Sequence, residues 1–522
     1  MNFYFLLDNP FFIKNWRERM RPHYVGTACV ILVFIIGLIF LGNYTFGEAQ
    51  GLYDPISHLQ VHVSWWRSAL YQIVSLQGTL LLLLGTIDCY RAAAQERAAG
   101  VLDFHRASPF PRKDQALGLL LGGAVLEWSL FFLTLPIVLI LALIAGVSLW
   151  AIAVFYASFI LTTLFFHLIA LWAGISVAPR KNGLGIFGFL FLFYFISMLF
   201  SGLMAAGQSA SVLRCATWFP AYDQLHQAVF GVHSFFGVTW NYAAKGQVAL
   251  KTLFFGCAIT DGVLQLLVQI PLGLLFFAGI MRRLSSDEIT GFSKPQTVAA
   301  YFLIAFYLVG SIDYGSPVTW AFPVIMIFSY FFTLFAALIV TPDHLGYVKG
   351  LSRAKKLQKK GLALDEDQNS NWLWFVAFSV VTIALWGVYA RISPPARVES
   401  VCLALAVVLL QTATFVNGLE WFNLSRFYQK RIFLWTAAAI VWVGIPFLNF
   451  IAVGMQDKSE VLRWSFALSP FFTVGGMIGD FFAKESAGRQ WMPFLVVNAL
   501  TAIIAAVAAY HQRKLLQKDI FS

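Results

Sequence analysis

Glu127 and His167 stand twenty residues either side of Val147, the centre of a short turn, Gly146-Val147-Ser148, that joins two long apolar runs. If those runs are antiparallel helices, an equal rise of ~1.5 Å per residue carries both side chains to one depth. A carboxylate beside an imidazole could form a charge-assisted hydrogen bond. Two roles are open to such a pair, a tie between neighbouring helices or a group that serves transport. Depth alone does not show that their faces meet. Asp261 and Asp313 lie nearer the ends of their runs and read as water-facing.

No other constellation carries recognisable chemistry. His-Glu-x-x-His and Gly-x-Ser-x-Gly are both missing, and no Gly-Lys dipeptide exists from which a phosphate-wrapping P-loop could be built. Gly183-Leu184-Gly185-Ile186-Phe187-Gly188 has dinucleotide-fingerprint spacing, but it follows a basic loop and opens an apolar run, so it reads as close helix packing through small residues. Cys29, Cys89, Cys215, Cys257 and Cys402 are scattered without Cys-x-x-Cys and read as small buried hydrophobes. Catalytic, cofactor-binding and metal-ligating residues are therefore expected to be absent.

The composition says what surrounds these residues. Hydrophobic residues make up 59% of 522 and charged ones 12%, against roughly 45–50% and about 25% in soluble proteins. No globular fold could cover that apolar surface, 52 Phe included. The net charge of +11 sits in short connections between apolar runs rather than on a polar face, which excludes a nucleic-acid binder and leaves membrane lipid as the surrounding partner.

Twelve apolar runs approach the length needed to cross a ~30 Å hydrocarbon core: 24–46, 73–90, 116–145, 149–178, 184–206, 256–280, 297–311, 317–341, 371–391, 398–418, 432–455 and 491–510. The expected fold is an all-α polytopic membrane protein, its first run too late and too long for a cleavable signal. With both termini inside, 26 of the 36 Lys and Arg fall on the cytoplasmic side and 10 on the other. The runs divide as six and six, giving a first half over 1–285 and a divergent second half over 286–522. Each half has its longest outer loop before its last span, and each has its longest cytoplasmic loop after its second. The segment from Asn9 to Arg21 mixes bulky apolar and basic residues and is expected to form an interfacial helix.

The first long cytoplasmic loop, Gln95 to Asp114, has helix formers to Arg97, a break at Gly100, a short mixed turn, and prolines at 109 and 111 that block further helix. It resembles the loop after the second helix in the exporter-like, type-two permeases of ABC transporters. Glu96, Arg97, Gly100, Leu102, Pro109 and Arg112 match that family's pattern, with Val101 where the family has Thr. The opening Asn9-Pro10…Lys14…Trp16-Arg17…Arg19 is also similar, whereas 342–370 lacks the Glu-Arg-x-x-Gly motif.

The resemblance implies a permease in the bacterial cytoplasmic (inner) membrane, whose loop docks into a groove on a separate ATPase subunit. ATP and Mg would be bound by that partner chain and no cofactor by this one, so the chain itself would not be an enzyme. An additional permease or periplasmic partner stays open. The rival expectations are an ion-coupled secondary transporter using Glu127 and His167, and a non-transporting membrane scaffold.

Overall fold

A computed structural model of the chain describes residues 9–46, 51–53, 60–62, 64–107, 110–176, 219–230, 251–254, 257–285, 291–310, 332–333, 336–337, 340–342, 344–359, 362, 369, 371–392, 395–425 and 492–521. It is overwhelmingly helical. Seven of the described helices are long and apolar enough to cross a membrane: Pro22–Thr45, Trp65–Ala98, Val125–Ile144, Leu149–Ser176, Gly262–Ser285, Leu405–Leu424 and Leu495–Phe521. The chain is thus a helical membrane protein. The expected spans 184–206 and 432–455, and most of 317–341, lie outside the described residues.

The chain divides into two compact units, Met1–Gly291 and Phe292–Ser522. Unit 1 opens with α1 (Pro10–Arg19), whose start is fixed by Asn9: its side chain accepts from the backbone N–H groups of Phe11 and Phe12. Pro22 starts α2 (Pro22–Phe46), 25 residues without Asp, Glu, Lys or Arg. A short antiparallel hairpin, β1 (Gly51–Tyr53) with β2 (Gln60–His62), separates it from α3 (Trp65–Gly78). α3 continues through one π-helical stretch, Thr79–Gly85, into α4 (Thr86–Ala98). The expected span at 73–90 is therefore the middle of a longer helix.

α5 (Val101–Ala107) and α6 (Arg112–Gly123) follow, then α7 (Val125–Ile144) and α8 (Leu149–Ser176). The apolar run read as one span over 116–145 is broken at Ala124, whose φ of −116° and ψ of 29° leave the helical region. α9 (Phe219–Phe230), the hairpin β3 (Lys251–Phe254) with β4 (Cys257–Thr260), and α10 (Asp261–Ser285) complete the described part of unit 1.

α8 is the spine of this unit. Its Phe155, Tyr156 and Phe159 interlock with Phe131 of α7 and Tyr222 of α9. Two sets of buried polar side chains tie it to its neighbours. Tyr156 donates to Gln77 Oε1 (2.5 Å), and Gln77 Nε2 donates to Thr134 (2.8 Å). Ser158 and Thr162 donate to Gln265 and Gln269 of α10, each at 2.9 Å. Lipid cannot satisfy such groups, so their hydrogen bonds hold the helices in register. Cys89 is buried, whereas Cys257 and Cys402 expose their side chains and depart from the buried-hydrophobe reading.

Unit 2 contains α11 (Lys294–Gly310), α12 (His344–Lys356), α13 (Trp372–Ile392), α14 (Pro395–Leu424) and α15 (Met492–Phe521). α11, 17 described residues and ~26 Å long, covers the expected span 297–311 up to Gly310. α14 and α15, 30 residues each, pack along one another.

Candidate functional site

The loop after the second span forms a compact lever. α4 ends at Ala98, and Gly100 turns the chain with φ +70°, a left-handed conformation that glycine adopts without a Cβ penalty. α5 then leads away, its Leu102 buried at 2% exposure. Arg112 opens α6 and donates from Nη2 to the Arg106 carbonyl (2.7 Å), while Arg106 donates to the Arg283 carbonyl of α10 (3.2 Å). Pro109 lies outside the described residues.

The N-terminal helix clamps this lever. Lys14 Nζ meets Glu96 Oε1 at 3.0 Å, with the Glu96 side chain only 5% exposed. Arg19 pairs with Asp88 one helical stretch earlier, and Arg91 with the same carboxylate at 3.4 Å. Asn9 Nδ2 donates to the Asp114 carbonyl (2.7 Å), at the start of α6. Gly118 and Gly122 admit α1 at backbone range, where an added Cβ would run into Asn9, Phe11 and Asn15. Glu96 thus faces α1, and the exposed part of the lever is Ala98-Ala99-Gly100. Arg97 is half-buried, with Nη1 enclosed and without a hydrogen-bond acceptor among the described residues.

Glu127 and His167 are both buried, at 5% and 0% exposure. They share a neighbourhood but no hydrogen bond or ion pair among the described residues. His167 Nε2 lies 3.0 Å from the carbonyl oxygen of Leu81, inside the π-helical stretch, and its ring stands edge-on to Trp128 (6.1 Å). Gly85 permits that approach, because a Cβ there would lie 2.9 Å from Nε2. Glu127 instead lies beside Asp88, with Arg19 near both. Single π-helical stretches recur at functional positions because they free backbone groups for other partners. Here the His167 ring uses one.

Unit 2 holds a polar cluster that sequence reading passed over. Glu420, 1% exposed, pairs with Arg513 across α14 and α15 at 3.3 Å, and accepts from the Asn371 backbone N–H at 3.4 Å. Asn371 Nδ2 donates to Thr341 (2.7 Å), and Lys294 Nζ to the Asn369 carbonyl (2.7 Å). Burial pulls the Lys294 ammonium down to about 8, opposed by Glu420 and reinforced by Arg513. The signal available was one acid and one cation, Glu420 and Arg513, each two or three residues past the end of an apolar run.

No protein-family model, curated protein or solved structure matches the chain. Among the described residues no group of three metal-ligating side chains converges.

Proposed function

We propose that this chain is the membrane permease of an ABC-type transporter, twelve spans arranged as two six-helix halves in one polypeptide, worked by a separate ATPase subunit. It would lie in the bacterial inner membrane with both termini in the cytoplasm. The observation that carries the reading is the clamped lever. A partner that moves Gly100 and α5 moves α4, which is continuous with the second span, and the Lys14–Glu96 and Arg19–Asp88 pairs pass that motion to α1. A rigid element fastened at both ends suits the transmission of work from a soluble motor to a bundle.

In this reading Glu96 positions the lever through α1, while Arg97 and the exposed turn at Gly100 face the ATPase. Leu102 and Arg112 hold α5 and α6 in place. The ion-coupled alternative would use Glu127 and His167, which face different partners here, and the silent scaffold has no specific observation in its favour.

The test is the double substitution Glu96→Ala with Arg97→Ala in a complex isolated through a tag on this chain. Expected is normal insertion with ATP hydrolysis that no longer responds to the permease. Unchanged coupling would remove the lever from the mechanism.

A further inference from the structure

Five buried polar atoms gather where α4, α7 and α8 meet, and none has a hydrogen-bond partner among the described residues. They are Thr86 Oγ1, Glu127 Oε2, Trp128 Nε1, Thr163 Oγ1 and His167 Nδ1. Thr86, Thr163 and His167 are fully enclosed, and Glu127 is 5% exposed. Gly85 marks the meeting point, since a Cβ added there would stand 2.9 Å from His167 Nε2 and 3.3 Å from Ala124 Cβ. Thr86 follows that glycine, and Glu127 and Trp128 lie one turn beyond Ala124. Thr163 lies one turn before His167 on the same face of α8.

Other hydroxyls in these helices find protein partners. Ser129 and Thr134 donate to carbonyls one turn back, and Thr162, beside Thr163, donates to Gln269. The hydroxyls of Thr86 and Thr163 take neither route. Inside a bundle surrounded by lipid, a polar atom can bond only to protein or to enclosed water. The donors and acceptors select between ligands. His167 Nε2 meets the Leu81 carbonyl, which only accepts, so Nε2 carries a proton and Nδ1 of the neutral ring offers a lone pair. Trp128 Nε1 only donates, and the two threonine hydroxyls do either. A bare cation would leave the indole N–H unanswered, and an anion would meet the Glu127 carboxyl. A small molecule that both donates and accepts answers all of them.

We propose that this meeting point is a binding site for ordered water, which bridges Glu127 Oε2 to His167 Nδ1 and so joins two side chains that do not bond directly. Glu127 also lies beside Asp88, the carboxylate that pairs with Arg19. The bridge therefore carries the α1 clamp inward, to the π-helical stretch whose Leu81 carbonyl holds His167. A water-mediated bond is nearly as favourable as a direct one, and it tolerates small shifts between the helices it joins. The site goes beyond the transporter reading and does not depend on it.

An experimental density map of the full chain in a lipid nanodisc, at a resolution that shows water, tests the site. Expected is water density within hydrogen-bonding distance of both Glu127 Oε2 and His167 Nδ1. A second measurement uses Thr163→Val, which keeps the side chain's shape and removes its hydroxyl. With water bound, the variant loses a hydrogen bond, and its thermal unfolding midpoint in detergent should fall by about 2 °C. A hydroxyl buried dry is a cost to the fold, so its removal would raise the midpoint instead. Should Thr163→Val fail to fold, Thr86→Val gives the same readout. An unchanged or raised midpoint overturns the water site, as does a map in which these groups bond to one another or stand dry. Density larger than water would overturn it in favour of a hydroxylated ligand. None of these outcomes bears on the ATPase lever, which the Glu96 and Arg97 substitutions test separately.

Discussion

A methyl group added at Gly174 would stand 2.6 Å from the Tyr90 carbonyl oxygen and 2.8 Å from Ala93 Cβ, so α4 and α8 touch there backbone to backbone. Gly174→Ala is expected to cost about 1–3 kcal/mol, as overpacking does in tight interiors. Gly26→Ala, with no heavy atom within 4 Å, should be neutral. Thermal unfolding of the detergent-solubilised chain separates the two. At Glu127 the transporter reading makes a sharper demand. Glu127→Gln should keep transport, because ATP supplies the work and an amide can still hydrogen-bond. Complete loss of transport in a stably folded variant would favour proton coupling. Spacing singled out Glu127 and His167 together, but it could not name the partner of His167. It bonds to a carbonyl in a stretch of five consecutive leucines, Leu80 to Leu84, which has no period to betray a π-helical turn.

At the scale of elements, the clamp between α1 and α4 should behave as a unit. A double-mutant cycle on Lys14→Ala and Glu96→Ala is expected to give a coupling energy on the order of 1 kcal/mol, the half-exposed lysine keeping it below that of a fully buried pair. A coupling near zero would make the contact incidental. In unit 2 the buried Lys294 sets a pH dependence. Its folded value of about 8 lies below the ordinary lysine value, so above pH 8 the unfolded chain holds the proton more tightly. Stability should therefore rise from pH 8 towards 10 in the wild type and rise less in Lys294→Gln. Melting curves across that range check it.

Apolar periodicity located α8 almost to the residue, 149–178 against Leu149–Ser176. It missed the break at Ala124, because Gly122 and Gly123 sit inside an otherwise continuous apolar run. It also could not foresee Lys14 meeting Glu96 across 82 residues of chain. Contacts of that kind are made by packing, which leaves no local pattern.

For the whole molecule, the proposed orientation, with both termini in the cytoplasm, rests on the 26 to 10 division of basic residues. Cysteines substituted at Ala99 and Lys355 should resist an impermeant reagent applied to intact cells and react after lysis. Labelling of either from outside would invert the topology. The central claim is that this bundle has no motor of its own and borrows one. Affinity purification of the full chain from its native membrane in mild detergent, with every retained polypeptide identified by mass spectrometry, tests this most directly. The expected result is a stoichiometric partner carrying Gly-x-x-x-x-Gly-Lys-Ser/Thr that hydrolyses ATP. A chain that purifies without such a partner, yet moves substrate down a proton or sodium gradient in vesicles, would contradict it.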